Sequence, residues 1–133
     1  MQRSGNKSSK NIEKTIRDIF KSRAKSCIYV YLLGKNGAKT EQIIKGTKLH
    51  PSTVRETLSK MYDQKQIYRK KVKNDHIGKN PYIYFPIPPI ELLKKYTKEI
   101  EGKLNKIANL DFSGDKQNKN SVKIKIIERA DKI

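Results

Sequence analysis

Apolar residues first recur at helical spacing at Ile12, Ile16, Ile19 and Phe20. That pattern predicts a helix capped by Ser9, behind a polar basic arm over residues 1–10. A second helix is predicted from about Ser22 to Leu33, with Ala24, Cys27, Ile28, Tyr31 and Leu32 on its inner face and Gly34 where helices commonly end. Lys35-Asn36-Gly37 reads as a turn. Thr40 then caps a short helix that Gly46 stops. Pro51 suits the first position of the next helix, which runs to about Gln64. Val54, Leu58 and Met61 face inward there, while Ser52, Thr53, Arg55, Glu56, Ser59 and Lys60 face outward.

The period then changes to two. Residues 67–73 and 82–85 read as the strands of a hairpin, joined by a turn-rich tip over 74–80. Of the return strand's four residues, one pair out of Tyr82/Tyr84 and Ile83/Phe85 packs on the core and the other covers the sheet. Pro86, Pro88 and Pro89 end the strand and open a long helix over about 89–110. Leu93, Ile100 and Ile107 repeat every seven residues along it, with Tyr96 and Leu104 between. The stripe is longer than a small core requires and suits a dimer seam. In the tail, Val122, Ile124 and Ile126 alternate as in a strand, whereas Val122, Ile126, Ala130 and Ile133 keep helical spacing. Residues 112–120 read as a loop, and the helical reading of 121–133 is preferred.

Composition adds a partner class. The chain has 133 residues, 35% hydrophobic and 33% charged, and a net charge of +18. One small core is the most it can support. Residues 1–25 carry eight basic and two acidic side chains, residues 26–87 twelve and four, and residues 88–133 eleven and seven. A polyanion would therefore meet the first two thirds of the chain. No apolar run approaches a membrane span and no secretory signal opens the sequence, so the cytoplasm is the expected compartment.

The remaining chemistry is sparse. A single cysteine, Cys27, forms no internal disulfide and reads as a structural thiol. His50 and His76 read as capping or surface residues, and no metal or cofactor is expected. Residues 34–40 superficially resemble a phosphate-binding loop. Two residues rather than four separate their glycines, and Ala38 stands where a glycine should precede Lys39. With no nucleophile–base pair either, the chain is not read as an enzyme.

What stands out is an order of elements. A short helix from Thr40 and a second from Pro51 are joined by about four residues, which is helix-turn-helix spacing. The second has a polar outer face with hydrogen-bond donors in its first turn, as groove reading requires. The hairpin after it carries Arg69, Lys70, Lys71, Lys73 and Lys79, which a phosphate backbone attracts. The fold class expected is mainly α with a small β-hairpin wing.

Residues 25–71, KSCIYVYLLGKNGAKTEQIIKGTKLHPSTVRETLSKMYDQKQIYRKK, followed by GKNPYIYFPI at 78–87, resemble a winged helix-turn-helix domain of an archaeal transcription regulator. The Pro-Pro-Ile-Glu-Leu-Leu opening of the last helix is similar to the linker helix of TrmB-type regulators. MarR-like and ArsR-like proteins share the same core. The resemblance implies a winged helix-turn-helix with a long C-terminal dimerisation helix. The domains would be an arm (1–10), a DNA-binding domain (11–87), the dimerisation helix (88–111) and a tail (112–133). A TrmB-type sugar-sensing domain is not expected.

By that match Ser52, Thr53, Arg55, Glu56 and Lys60 face DNA from the recognition helix. Thr40, Lys48 and His50 do so from the first helix and turn, and Lys71, Lys73, His76, Lys79 and Asn80 from the wing. The dimer interface comprises Leu93, Tyr96, Ile100, Leu104 and Ile107. The function expected is a homodimeric, sequence-specific regulator bound to double-stranded DNA; no effector is assigned. Two alternatives stay open: a weakly specific DNA-coating or architectural protein, and a protein-interaction winged helix in a transcription complex.

Overall fold

The structure, a computed structural model, describes residues 3–72, 82–110 and 122–129, with side chains from residue 11 onward. It divides into two units, Met1–Pro88 and Pro89–Ile133. The first contains α1 (Arg3–Phe20), α2 (Arg23–Lys35), β1 (Ala38–Lys39), α3 (Thr40–Thr47), α4 (Pro51–Asp63), β2 (Ile67–Lys71) and β3 (Tyr82–Pro86). The second contains α5 (Pro89–Ala108).

The helix ends have local causes. The Ser22 hydroxyl accepts a hydrogen bond from Lys25 N at 3.2 Å and caps α2. That helix runs through Gly34 and ends at Asn36, whose φ of 56° is left-handed. Asparagine tolerates that conformation, so it replaces the glycine expected as the stop. Gly37 follows at φ 110°, and a side chain there would collide with the Phe85 ring. The cap of α3 is Lys39, whose amide donates to Gln42 Oε1 at 2.8 Å. Thr40, the cap expected from sequence, lies one residue inside the helix and is buried. The start of α1 also departs from expectation: the helix begins at Arg3 rather than after an arm. Extending an existing helix costs far less than nucleating one, so the Ile12–Phe20 segment can propagate backward.

The sheet has three antiparallel strands in the order β1-β3-β2. Its two-residue first strand, Ala38–Lys39, is too short to carry a period and was not expected. β2 and β3 pair with Ile67 opposite Pro86 and Lys71 opposite Tyr82. Ile28, Tyr29 and Leu32 of α2, Ile43 of α3, Val54, Leu58 and Met61 of α4, and Ile67 of β2 are fully buried. The period-3.6 and period-2 faces thus meet in one core. On α2 the inward set includes Ser26 and Tyr29, while Cys27 and Tyr31 are only half-buried. Tyr29 donates from its hydroxyl to Ile87 O at 2.6 Å, which satisfies an otherwise costly buried group.

In the second unit residues 122–129 form no helix. They run antiparallel to α5, tied by side chains one turn apart. Asn109 donates to Val122 O and accepts from Val122 N, both at 2.8 Å. Asn105 donates to Ile124 O at 3.1 Å and accepts from Ile124 N at 2.6 Å. Glu101 accepts from Ile126 N, and Lys94 pairs with Glu128 at 3.5 Å. Four helical residues rise ~6 Å and two extended residues span ~6.6 Å. Side-chain amides at every fourth helical position therefore imitate the edge of a neighbouring strand. The alternation of Val122, Ile124 and Ile126 is the pattern that corresponds to this arrangement.

Candidate nucleic-acid interface

α3 and α4 are joined by Lys48, Leu49 and His50, with Lys48 left-handed at φ 60°. Two caps fix this junction. The Lys48 amide closes α3 by donating to Ile44 O at 3.0 Å. His50 caps α4: its Nδ1 accepts from Ser52 N at 3.2 Å and lies 2.8 Å from Ser52 Oγ, with Pro51 at the first helical position. A side chain on Gly46 would meet the Tyr31 ring, so that glycine permits α3 to pass close to α2.

The burial of α4 is one-sided. Val54, Thr57, Leu58 and Met61 are inside; Ser52, Arg55, Glu56 and Lys60 are exposed, and Thr53 is half-buried. Glu56 and Lys60 pair with each other at 3.3 Å. Arg55 has no carboxylate in ion-pair range among the described residues. The outer face thus offers one unpaired guanidinium near the helix N-terminus and a neutralised pair further along. Lys48 and His50 are exposed beside it. Thr40 is 5% exposed, so the structure removes it from this surface. Lys71 is exposed on β2, while Lys73, His76, Lys79 and Asn80 lie outside the described residues.

The two faces of the β2–β3 ladder differ. On one, Tyr68 stacks on Phe85 at 5.2 Å and Lys70 Nζ lies 5.5 Å from the Phe85 ring. On the other, Ile67 and Tyr84 are buried and Arg69 is half-buried. The Arg69 guanidinium carbon lies 3.8 Å from the centre of the Tyr62 ring and 4.2 Å from that of Tyr82. Partial desolvation lowers the Arg69 pKa, but a hydrogen bond to Tyr84 and the fields of Tyr62, Tyr82 and Tyr84 outweigh it, and the net shift is upward. Sequence reading grouped Arg69 with the free wing lysines. Its place two residues after the inward Ile67 was the available signal that it shares the inner face.

Along α5, Leu93, Leu104 and Ile107 are exposed at 42%, 38% and 66%, and Tyr96 and Ile100 are half-buried. The buried residue of that helix is Leu92, which lies off the stripe. Among the described residues no helix is long and apolar enough to cross a membrane, and no cluster of three metal-ligating side chains occurs.

No family model matches the chain, and no curated protein matches it. Among solved structures it is similar to a possible transcriptional regulator from Methanosarcina mazei Go1, with a TM-score of 0.57 and 20% identity over 72% of this chain and 84% of that one. A mutant of S. aureus MepR aligns with a TM-score of 0.47 and 18% identity, over 84% of this chain and 82% of that one. The first likeness, taken with the helix-turn-helix junction and the antiparallel sheet, establishes the fold as a winged helix.

Proposed function

We propose that the chain is a transcription regulator that binds double-stranded DNA as a homodimer in a sequence-specific manner, in the cytoplasm. In this reading α4 enters the major groove, and the hairpin of β2 and β3 lies on the flanking backbone. The observation that carries it is the outer face of α4: polar, exposed, capped at its N-terminus by His50, and presenting Arg55 with no acidic partner among the described residues. Ser52, Thr53, Glu56 and Lys60 share that face, with Lys48 and His50 at its entrance. Lys71, Lys73, His76, Lys79 and Asn80 serve as the wing contacts. The name carried by the M. mazei structure points the same way.

The dimer seam in this reading is the α5 stripe of Leu93, Tyr96, Ile100, Leu104 and Ile107. Its exposed leucines and isoleucine are the kind of surface that a second copy covers. Two recognition helices related by a two-fold axis read half-sites ~34 Å apart. Steric blocking of polymerase is the simplest regulatory mechanism in this reading.

The net charge of +18 specifically favours a second reading, a weakly specific DNA-coating protein, because phosphate contacts alone give sequence-independent affinity. Selection from random duplex DNA, followed by titration of the best and a scrambled sequence at two salt concentrations, separates the two. A two-fold-symmetric motif bound at least ~10³ tighter than the scramble is the expected result. Tight binding with no enriched motif and a steep salt dependence would favour DNA coating. Failure to bind either duplex would leave a protein-interaction winged helix.

A further inference from the structure

We propose that Arg69, clamped between Tyr62 and Tyr82, is a preformed fork for a phosphodiester of the DNA backbone, set between the recognition helix and the wing. The inference rests on the DNA-binding reading above and adds to it a site that stands apart from the outer face of α4.

The clamp is assembled from three elements. Tyr62 comes from the last turn of α4, Arg69 from the middle of β2 and Tyr82 from the start of β3. Ring centres at 3.8 and 4.2 Å from the guanidinium carbon leave no room for an edge-on approach, so the rings lie over the faces of the planar group. What remains accessible is the edge, where the N–H donors point. Among the described residues no carboxylate comes within ion-pair range of Arg69, although Asp63 follows Tyr62 directly.

A stacked, half-buried arginine with spare in-plane donors and no acid partner keeps its full charge and has lost its freedom. Both properties suit a bidentate oxyanion. A planar fork matches phosphate geometry, and the ordering cost that a surface lysine meets on binding is already met by the fold. The location selects the backbone rather than a base edge. Alternation along β2 puts Lys71 on the same strand face, two residues nearer the wing tip, so two cations line the inner side of the hairpin. When a helix occupies the major groove and the hairpin lies beside it, the strand of phosphates passes between them.

The test uses the full chain and a duplex carrying the selected motif, with fluorescence anisotropy at several salt concentrations and thermal melting of each variant. Arg69→Ala is expected to weaken binding about tenfold on the selected and the scrambled duplex alike, and to lower the salt slope by about one. Arg69→Lys keeps the charge and therefore the slope, yet loses most of the same affinity because it lacks the fork. Tyr62→Leu with Tyr82→Leu weakens binding in the wild-type background and adds little to Arg69→Ala. In unmutated protein the Arg69 Nε signal is expected to shift in NMR spectra when duplex is added.

Full affinity and an unchanged slope in a folded Arg69→Ala variant, or an Nε signal unmoved by bound DNA, would overturn the proposal while the DNA-binding reading stands. Equality of Arg69→Lys with the wild type would reduce the site to a plain charge and overturn the fork. If the wild type binds no duplex at any salt concentration, both readings fail together.

Discussion

Tyr29 illustrates how one residue ties stability to structure. Its side chain is buried against the core and its hydroxyl is spent on Ile87 O. Burial pushes its pKa from 10.0 to about 12. In the unfolded chain the phenol ionises near 10; in the folded chain it stays protonated two pH units further. Its contribution is therefore complete below about pH 10 and is lost as pH rises toward 12, a loss on the order of 3 kcal/mol. Denaturant melts of wild type and Tyr29→Phe between pH 9 and 12 check this: the wild type should lose its advantage across that interval, and parallel curves would refute the assignment. Arg55 is the residue-scale probe of function. Arg55→Ala should cost ~1–3 kcal/mol on the selected duplex and much less on a scrambled one if the guanidinium reads a base. Equal losses on both would make Arg55 a phosphate contact.

The element scale is where sequence pattern and structure parted most. The repeated apolar spacings of α2, α4 and α5 were legible because each helix is long enough to display its period. The capping residues were less so. Asn36 and Lys39 hold positions that backbone geometry decides, and Thr40 looked like a cap only because its type is a common one, whereas His50, read as a capping or surface residue, does cap α4. The C-terminal segment satisfied two periods at once, and long-range partners decided between them. Asn105 bonds both the N–H and the C=O of Ile124, and Asn109 bonds both those of Val122. Asn105→Ala combined with Asn109→Ala should free that segment. Tryptic cleavage after Lys123 and Lys125 is expected to accelerate severalfold, while the melting of the Met1–Pro88 unit stays put. Unchanged cleavage would mean that Glu101 and the Lys94–Glu128 pair suffice to hold it.

For the whole molecule the open quantity is assembly. A chain of +18 repels its own copies, so a dimer needs apolar contact to offset that charge. Leu93, Leu104 and Ile107 expose such surface on α5. Ile100→Asp, at the centre of the stripe, is expected to give a monomer by light scattering, with binding to a palindromic duplex weakened far more than binding to a half-site. A dimer that persists would place the seam elsewhere.

The sequence by itself determined the succession of helices and hairpin, the inward face of α4, the junction at Lys48–Pro51 and the polyanion-seeking charge. Each of these is local, written in period, cap or composition. Only the tertiary structure decided what depends on residues far apart in the chain. Thr40 is buried because α3 packs against the core. Arg69 is held in place rather than free, because Tyr62 and Tyr82 meet over it from 7 and 13 positions away. Residues 122–129 are extended because a helix more than a dozen residues earlier supplies their hydrogen-bond partners. Period and composition report which face a residue prefers; they carry no information about which distant side chain will occupy the space beside it.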